Sequence, residues 1–160
     1  MSNIETPDAN FAHLYPPFAD ALKKIITQAT TETAGKHGVS HWIFFEGFRS
    51  QARQNWLYAQ GRTRPGPIVT HIHVSNHTGG MAGDCYPVDT NGNIMWDAPD
   101  EIWQQFGHCV RCQSGMQWGG DFPKITGGTF VDEPHVEPNA AVRAQWAAAA
   151  HAYLAKLGLI

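Results

Sequence analysis

The sequence predicts an α+β fold, in which a few short strands lie among segregated helices. Three observations predict this class. Apolar residues recur at helical spacing in residues 17–33, so this segment is predicted to be an amphipathic helix. Residues 41–48 are rich in aromatic side chains, as is typical of a buried strand. Residues 139 to about 157 are rich in alanine, which favours a helix.

The elements between these segments follow in chain order. Ser50 stands where a helix N-cap is expected, so residues 51–60 are predicted to form a helix. Residues 61–79 hold repeated glycines and prolines, which is the composition of a loop. Residues 81–88 are predicted to form a strand.

The second half of the chain continues with one helix and two short strands. Residues 97–100 resemble a capped helix start, and this helix is predicted to reach about Cys112. Residues 116–119 and 134–137 are predicted to form short strands around a glycine-rich turn. We expect one domain that spans residues 1–160, because this length suits an ordinary single core.

The composition excludes several classes of protein. Hydrophobic residues make up 42% of the chain and charged residues 16%, which is typical of a globular protein and not of a disordered one. The net charge of −3 disfavours a nucleic-acid partner, although a local basic patch around Arg49, Arg53, Arg62 and Arg64 stays open. Three cysteines, an odd number, argue against a disulfide framework.

The chain also lacks the patterns that direct a protein into or across a membrane. It has no apolar run of the roughly 18 residues that a membrane span needs, so no stable membrane association is expected. Residues 1–10 are polar and acidic, unlike a secretory signal. We therefore expect synthesis in the cytoplasm, with release by another agent if the protein acts elsewhere.

Two segments carry residues suited to metal chemistry. His77 lies in a glycine-rich stretch that lets the backbone approach an ion or a substrate, and Asp84 stands where that loop becomes a strand. Asp132 precedes His135 by three residues, which suits a base beside a metal ligand, and Pro134 stiffens the turn between them. Catalytic zinc sites commonly use three such ligands. Spacing alone leaves open a metal site or two polar loops with capping acids.

The other histidines lie in contexts that point less clearly to chemistry. His71 and His73 lie in the loop before the first motif; they could line a cleft but are interpreted mainly as structural. The rest have no acidic or glycine-rich context and are interpreted as surface or satisfied core residues: His13, His37, His41 and His151.

Four motifs in matching order, from about residue 42 to 138, carry a resemblance to a known family. Its pattern Ser-x-His-x-x-Gly-x-Ala-x-Asp is met by Ser75, His77, Gly80, Ala82 and Asp84. Its Asp-x-Pro-His-x-Glu pattern is met by Asp132, Pro134, His135 and Glu137. Upstream and intervening matches are Glu46, Arg49, Ser50, Gln54, 57–63, Pro65, Gly66, Val69, Thr70 and 118–121. The chain resembles the VanX/VanY-type zinc peptidases, and in particular their L-alanyl-D-glutamate peptidase branch, which includes phage endolysins.

The resemblance implies a hedgehog/D,D-peptidase-like fold, with a small antiparallel sheet flanked by helices. It implies one zinc ion (Zn2+) held by His77, Asp84 and His135. Asp132 would be the general base, and Arg49 would contact the substrate and stabilise the oxyanion. Two departures, Gly83 for a bulkier apolar residue and Phe122 for a tryptophan, leave the ligands intact but alter the pocket.

Several roles keep an alternative. Arg49 could instead form a structural ion pair with Glu46 or Asp121. Ser75 binds the substrate or caps its loop. Asp121 is a partner of a ligand histidine or an acid that stabilises a turn. Trp118 is expected to pack below the site.

Acidic neighbours and cysteines also leave questions open. Glu133 and Glu137 rival Asp132 as the base, although Glu137 is expected to orient a ligand or to pair with an arginine. Cys109 and Cys112 are interpreted as helix residues, with a disulfide formed outside the cytoplasm as the alternative. Cys85 is expected to be a small buried residue.

The resemblance implies a function and two alternatives. The leading hypothesis is a monomeric peptidase that hydrolyses the L-Ala–D-Glu bond of peptidoglycan stem peptides. It would work as a phage or prophage endolysin, made in the host cytoplasm and acting in the periplasm or cell wall after release. A D,D-carboxypeptidase that trims terminal D-Ala is the first alternative. A metal-binding module without catalysis is the second, because the same fold can serve other functions.

Overall fold

The computed structural model describes residues 4–160 and confirms the α+β class. In chain order the elements are α1 (Pro16–Thr33), β1 (Val39–Glu46), α2 (Gln51–Ala59), β2 (Gly83–Asp89), α3 (Asp100–Arg111), β3 (Met116–Trp118), α4 (Phe122–Thr126), β4 (His135–Pro138) and α5 (Ala140–Lys156). Short 3-10 turns join several of them, including one at Asn76–Gly79. In the described part of the chain, no helix is long and apolar enough to cross a membrane.

The four strands form one sheet with the order β1-β2-β4-β3, in which all neighbouring strands are antiparallel. In the register, Asp84 on β2 lies opposite Glu46 on one side and His135 on the other. Glu137 on β4 lies opposite Gln117 on β3. The sheet therefore brings polar side chains from four distant segments together on one face, in two adjacent cross-strand sets that we call the polar row.

Helices α1 and α3 pack against the sheet and bury the hydrophobic core. Phe18, Leu22 and Ile25 are fully buried on α1, at the three- and four-residue spacing that predicted this helix. The Trp42 ring on β1 stacks on Phe106 of α3 with ring centroids 4.3 Å apart. The core thus lies behind the sheet and supports the polar row.

Two helix caps follow the sequence closely. The Ser50 hydroxyl accepts a hydrogen bond from the Arg53 amide at 3.2 Å, which is the predicted N-cap of α2. The Asn139 side chain accepts from the Val142 amide at 3.0 Å and caps α5. These caps satisfy amides that would otherwise lack an intrahelical partner.

Two local predictions need correction. The helix predicted from residues 97–100 begins only at Asp100, after Pro99, which provides no side-chain cap. The residue before a proline is disfavoured in the helical region, and a turn at residues 96–97, closed by the Ala98 amide on the Met95 carbonyl oxygen at 3.2 Å, comes before the helix. Helix α4 lies in the segment predicted to be a glycine-rich turn. Two residues in the sequence favour this helix: Pro123 in its first turn, and Gly127, with a φ of 74°, at its C-terminus.

The cysteines are reduced thiols. Cys85 and Cys109 are buried and Cys112 is exposed, and all three are free. Burial raises the pKa of Cys85 well above its ordinary value, so this thiol is inert. Cys109 lies within α3 and Cys112 caps its end, which agrees with their interpretation as helix residues.

Candidate active site

A cleft of about 1190 Å³ opens on the polar row of the sheet. One wall comes from the loop that precedes β2 and includes Val69, His71 and Ile72. The lining also includes Ile125 and Phe130, from α4 and the loop after it, and the Phe130 ring contacts His71 with ring centroids 5.6 Å apart. The polar residues of the floor are Glu46, Arg49, Asn76, His77, Asp84, Asp132, His135 and Glu137. An apolar rim around a polar floor is typical of a ligand site.

Three side chains expected to hold a metal converge on the cleft floor. His77 Nε2 and His135 Nδ1 lie 3.3 Å apart. Asp84 Oδ1 lies 3.2 Å from His135 Nδ1 and 3.4 Å from His77 Nε2. Because the side chains come from a loop, β2 and β4, their convergence is a product of the tertiary fold.

The hydrogen bonds of the two imidazoles determine which nitrogen faces this triangle. His77 Nδ1 donates to the Gly47 carbonyl oxygen at 2.7 Å. A carbonyl can only accept, so Nδ1 carries the proton and Nε2 presents its lone pair. When the His135 imidazole is neutral and its Nε2 donates to Glu137 Oε2 at 3.0 Å, the Nδ1 lone pair faces Asp84. Three acceptor atoms in contact repel one another unless a cation lies among them.

The residues present fit a zinc ion. Atoms bound tetrahedrally to zinc at about 2.0–2.1 Å lie about 3.3–3.4 Å from one another, and the observed separations are 3.2–3.4 Å. Two imidazoles and one carboxylate form an ordinary donor set for this metal. Both imidazoles are oriented by partners on their other nitrogen, as metal-binding histidines usually are.

The electrostatic field of the site also attracts positive charge. Burial disfavours the charged forms, but attraction to the His77 and His135 imidazoles holds the pKa of Asp84 well below its ordinary value. Burial likewise opposes protonation of His135, yet its bonds to Asp84 and Glu137 raise its pKa to about 10. Groups that favour a proton so strongly at one point also favour a metal cation there.

Two glycines shape the backbone around these side chains. Gly80 closes the turn that carries His77 with a φ of 65°, a conformation that side chains disfavour. Gly119 lies against the 132–135 turn, where a Cβ would come within 2.1 Å of the Asp132 carbonyl oxygen. The departure at Gly83 also has a packing reason, because a Cβ there would lie 2.6 Å from Leu22 Cδ2.

Asp132 lines the cleft beside the triangle. Its Oδ2 lies 3.9 Å from His135 Nδ1, and its side chain is 35% exposed. Burial, followed by repulsion from Asp84, raises the pKa of Asp132. The rival Glu133 is not among the described residues that line the cleft. The other rival, Glu137, is occupied by its own hydrogen bonds.

These bonds define a group that we call the Glu137 cluster: Glu137, His135, Asn76, Gln117 and Arg143. Glu137 Oε2 accepts from Asn76 Nδ2 at 2.5 Å and from His135 Nε2 at 3.0 Å. Oε1 accepts from Gln117 Nε2 at 2.6 Å and from Arg143 Nη1 at 3.2 Å. Burial opposes ionisation, but the bonds, led by His135, lower the pKa of Glu137 to about 2. Glu137 therefore fixes the direction of the His135 ring and pairs with Arg143.

A second group, the Glu46 cluster, consists of Glu46, Arg49, Arg53 and Gln54. Arg49 Nη2 donates to Glu46 Oε2 at 2.7 Å and to Asp84 Oδ2 at 3.3 Å. Arg49 Nη1 donates to Gln54 Oε1 at 3.0 Å, and Arg53 Nε donates to Glu46 Oε1. Arg49 thus combines the structural pair with Glu46 and a position at the metal-site carboxylate.

Ser75 and Trp118 have roles that the sequence anticipated in part. The Ser75 hydroxyl accepts from the His77 amide at 3.3 Å, so it caps its loop, and it also lines the cleft. Trp118 is buried behind the site and its Nε1 donates to the Glu133 carbonyl oxygen at 2.6 Å. His71 lines the cleft, whereas His73 stacks on Tyr58 with centroids 3.6 Å apart.

Asp121 contacts basic residues on the surface. Its carboxylate accepts two bonds from Arg111, at 2.7 and 3.0 Å, and one from Lys124 at 3.1 Å. The Arg111 bond lowers the pKa of Asp121, despite partial burial. The expectation that Asp121 orients a ligand histidine is therefore not met by its contacts, which agree with the alternative of a turn-stabilising acid.

Sequence reasoning missed three members of the Glu137 cluster. The position of Asn76 directly before His77 could have indicated that it lies at the site. Gln117 reaches Glu137 only through the pairing of β3 with β4. Arg143 lies in the alanine-rich helix α5 and reaches Glu137 because that helix starts directly after β4.

Comparisons with known proteins agree with this fold. No protein-family model matches the chain. The chain is 35% identical to the peptidoglycan L-alanyl-D-glutamate endopeptidase CwlK of Bacillus subtilis (strain 168), over 74% of this chain and 68% of that protein. Its fold is similar to the crystal structure of the Serratia marcescens L-Ala D-Glu endopeptidase ChiX, with a TM-score of 0.57, 21% identity, and coverage of 83% of this chain and 86% of that one.

A second crystal structure with a similar fold contains a metal. It is a mutant of the vancomycin resistance D,D-pentapeptidase VanY, from the VanB-type resistance cassette, in complex with Zn(II). Its TM-score is 0.51 at 17% identity, and the match covers 88% of this chain and 83% of that one. At such identity the likeness concerns the fold.

Proposed function

The chain belongs to the VanX/VanY-type zinc peptidase family, and from that premise we propose that it hydrolyses the L-Ala–D-Glu bond of peptidoglycan stem peptides with one zinc ion. The observation that carries the proposal is the triangle of His77 Nε2, Asp84 Oδ1 and His135 Nδ1, with sides of 3.2–3.4 Å. The bond is taken from the relative CwlK, whose activity is that of an L-alanyl-D-glutamate endopeptidase.

The three residues of the triangle would hold the metal through the atoms that face one another. Zinc, when bound, supplies a Lewis acid that polarises a carbonyl and acidifies water. His77 Nδ1 would keep its proton and donate it to the Gly47 carbonyl oxygen, and His135 Nε2 would keep its proton and donate it to Glu137 Oε2. Both imidazoles therefore stay neutral donors whose direction does not change during a turnover.

Asp132 is suited to move the proton of the attacking water. Its side chain is the most exposed of the carboxylates beside the triangle, and its Oδ2 lies 3.9 Å from His135 Nδ1. We propose that Oδ2 accepts the proton from water and passes it to the leaving amine nitrogen. The turn 132–135 holds this position, because the His135 amide donates to the Asp132 carbonyl oxygen at 3.1 Å.

Arg49 is suited to bind the carbonyl oxygen of the scissile bond. Its Nε is buried and donates to no acceptor within residues 4–160, although the side chain lines the cleft. Gln54, Glu46 and Asp84 hold the guanidinium in place through Nη1 and Nη2. A fixed guanidinium there would also stabilise negative charge that develops on the oxygen.

The test is mass spectrometry of purified peptidoglycan after digestion by the zinc-loaded protein, with and without a chelator. We expect chelator-sensitive release of peptides that begin with D-Glu, with L-Ala left on the muramic acid. Release of terminal D-Ala alone would move the assignment to a D,D-carboxypeptidase, and an absence of products would favour the binding module.

Two variants separate metal binding from hydrolysis. Asp132→Ala should retain zinc and lose at least about 100-fold in activity, because it removes the proton acceptor. His77→Ala should lose both zinc and activity, since one of three ligands is missing. Full activity of Asp132→Ala would remove this residue from the mechanism, and a normal zinc content of His77→Ala would refute the ligand set.

The endolysin role and the monomeric state stay predictions from the sequence. The endolysin role is tested by adding the purified protein to Gram-negative cells with a permeabilised outer membrane. The monomeric state is tested by measuring the mass of the protein in solution. We expect a fall in turbidity with wild type and none with Asp132→Ala. Intact cells in both samples would contradict a lytic role.

A further inference from the structure

One arginine, Arg143, places an accessible positive charge in the cleft beside the metal-site residues. The arginines that line the cleft are Arg49, Arg53 and Arg143, and the carboxylates are Glu5, Glu46, Asp84, Asp132 and Glu137. Arg49 and Arg53 are buried and both pair with Glu46. The side chain of Arg143 is 30% exposed. Of these three guanidinium groups, that of Arg143 is the most accessible to a substrate.

The structure holds Arg143 close to the metal-site histidine. Its Nη1 donates to Glu137 Oε1 and to the Pro138 carbonyl oxygen, both at 3.2 Å. Glu137 in turn accepts from His135 Nε2, so the guanidinium lies two hydrogen bonds from this imidazole. In the part of the chain that the structure describes, both bonds of Arg143 use Nη1, which leaves donors on Nη2 and Nε for a ligand.

The proposed substrate carries a matching charge. This step rests on the proposed function, in which a D-glutamyl residue follows the scissile bond. Glutamate has two carboxyl groups, and continuation of the peptide uses only one. The other stays ionised at neutral pH, within the same residue as the scissile nitrogen. Arg49 and Arg53 pair with Glu46, and the zinc ion would compensate the carboxylates nearest to it, so Arg143 is the cleft arginine most available to an anionic substrate.

We propose that Arg143 binds the free carboxylate of this D-glutamyl residue and determines the preference for an acidic residue after the scissile bond. A guanidinium donates two parallel hydrogen bonds to a carboxylate, a geometry that neutral amides do not match. The start of helix α5 directly after β4 holds Arg143 on the same wall as Glu137 and His135. Arg143 is thereby a specificity residue, separate from the residues that move protons.

The experiment compares two synthetic peptides with the zinc-loaded protein. Both contain N-acyl-L-Ala–D-Glu continued through the side-chain carboxyl; one has a free α-carboxylate and the other an α-carboxamide. We expect wild type to cleave the carboxylate peptide with a kcat/KM about 10- to 100-fold higher, the usual effect of one charge-assisted hydrogen bond. Cleavage of both peptides at equal rates would overturn the inference about Arg143 and leave the proposed function standing.

Variants of Arg143 test the same assignment by changing the protein instead of the peptide. R143Q should lower kcat/KM for the carboxylate peptide and bring the ratio of the two peptides close to one. R143K, which keeps the charge, should retain part of the preference. K156Q removes an exposed charge from the other end of α5 and should leave both rates unchanged.

Two outcomes would contradict the assignment. An equal loss of activity on both peptides in R143Q, with lower zinc content, would mean that Arg143 acts only through Glu137. Unchanged discrimination in R143Q would also overturn the inference. If zinc-loaded wild type cleaved neither peptide, the proposed function would fall, and the inference would fall with it.

Discussion

Two buried glutamates on the cleft floor have different kinds of partner. Glu46, 4% exposed, pairs with Arg49 and Arg53 on the β1–α2 side. Glu137, 6% exposed, accepts from the His135 imidazole on the β4–α5 side, and within residues 4–160 its one guanidinium partner is Arg143. The Glu46 cluster therefore neutralises permanent cations, and the Glu137 cluster orients His135, a proposed metal ligand.

This difference shows how one residue type serves stability in one place and chemistry in another. The arginines beside Glu46 stay charged at any relevant pH, so removal of the carboxylate would leave buried charge without compensation. Most partners of Glu137 are neutral when the histidine is a ligand. Its loss should therefore disturb the direction of the imidazole more than the stability of the fold.

The largest expected effect is on stability, from E46Q. It removes the carboxylate between two buried guanidinium groups, and we expect a loss of about 3–5 kcal/mol in the free energy of unfolding. Urea unfolding in the presence of a chelator measures this without a contribution from the metal. E101Q is the matched control, because Glu101 is exposed and pairs only with His37 among the described residues. A midpoint of E46Q equal to that of the control would refute the role assigned to the Glu46 cluster.

An intermediate effect is expected on metal affinity, from E137Q. An amide cannot provide the charge-assisted bond that orients His135, so zinc affinity should fall by about 10- to 100-fold. Competition with a chromophoric chelator measures the affinity. The free energy of unfolding without metal should change less than in E46Q. The comparison of the two glutamates fails if E137Q binds zinc normally, or if its unfolding changes as much as that of E46Q.

The smallest effect is expected from D121N, which lies outside both clusters. It removes the pairing with Arg111 and Lys124, and we expect a loss of about 1 kcal/mol at pH 7, with zinc content and activity unchanged. A loss of zinc would restore Asp121 as a partner of a ligand histidine.

The pH dependence of that loss follows from the lowered pKa of Asp121. A carboxyl group with a lowered pKa in the folded protein contributes stability above its unfolded pKa of about 3.9. This contribution is lost as the pH falls through the folded pKa. Urea unfolding at pH 7 and near pH 3 should therefore show a smaller gap between D121N and wild type in acid. A gap that grows in acid would contradict the ion pair.

Elements with strong local patterns could be predicted from the sequence. The buried face of α1 and the caps Ser50 and Asn139 follow directly from residue spacing and type. Helix α4 was missed because five residues with one proline give too short a pattern. The start of α3 was placed early because Asp97 has the composition of a cap, whereas Pro99 determines where the helix can begin.

The residues of the candidate site also separate into those that the sequence could predict and those that it could not. Motif spacing and the resemblance together indicated His77, Asp84, His135 and Asp132, all of which line the cleft. The position of Asp121 before the last motif also favours a role at the site, yet its carboxylate pairs with Arg111. A sequence names the type of a side chain but not the partner that it meets.

By itself the sequence determined the class of fold, its longer helices and the residue types that can bind a metal, because these depend on neighbours within a few positions. Only the tertiary structure decided which atoms meet. His135 Nδ1 faces an Asp84 oxygen 51 residues away through the register of β2 and β4. The His77 tautomer depends on the Gly47 carbonyl 30 residues away. Contacts at such separation result from the packing of the whole chain, and no local pattern encodes them.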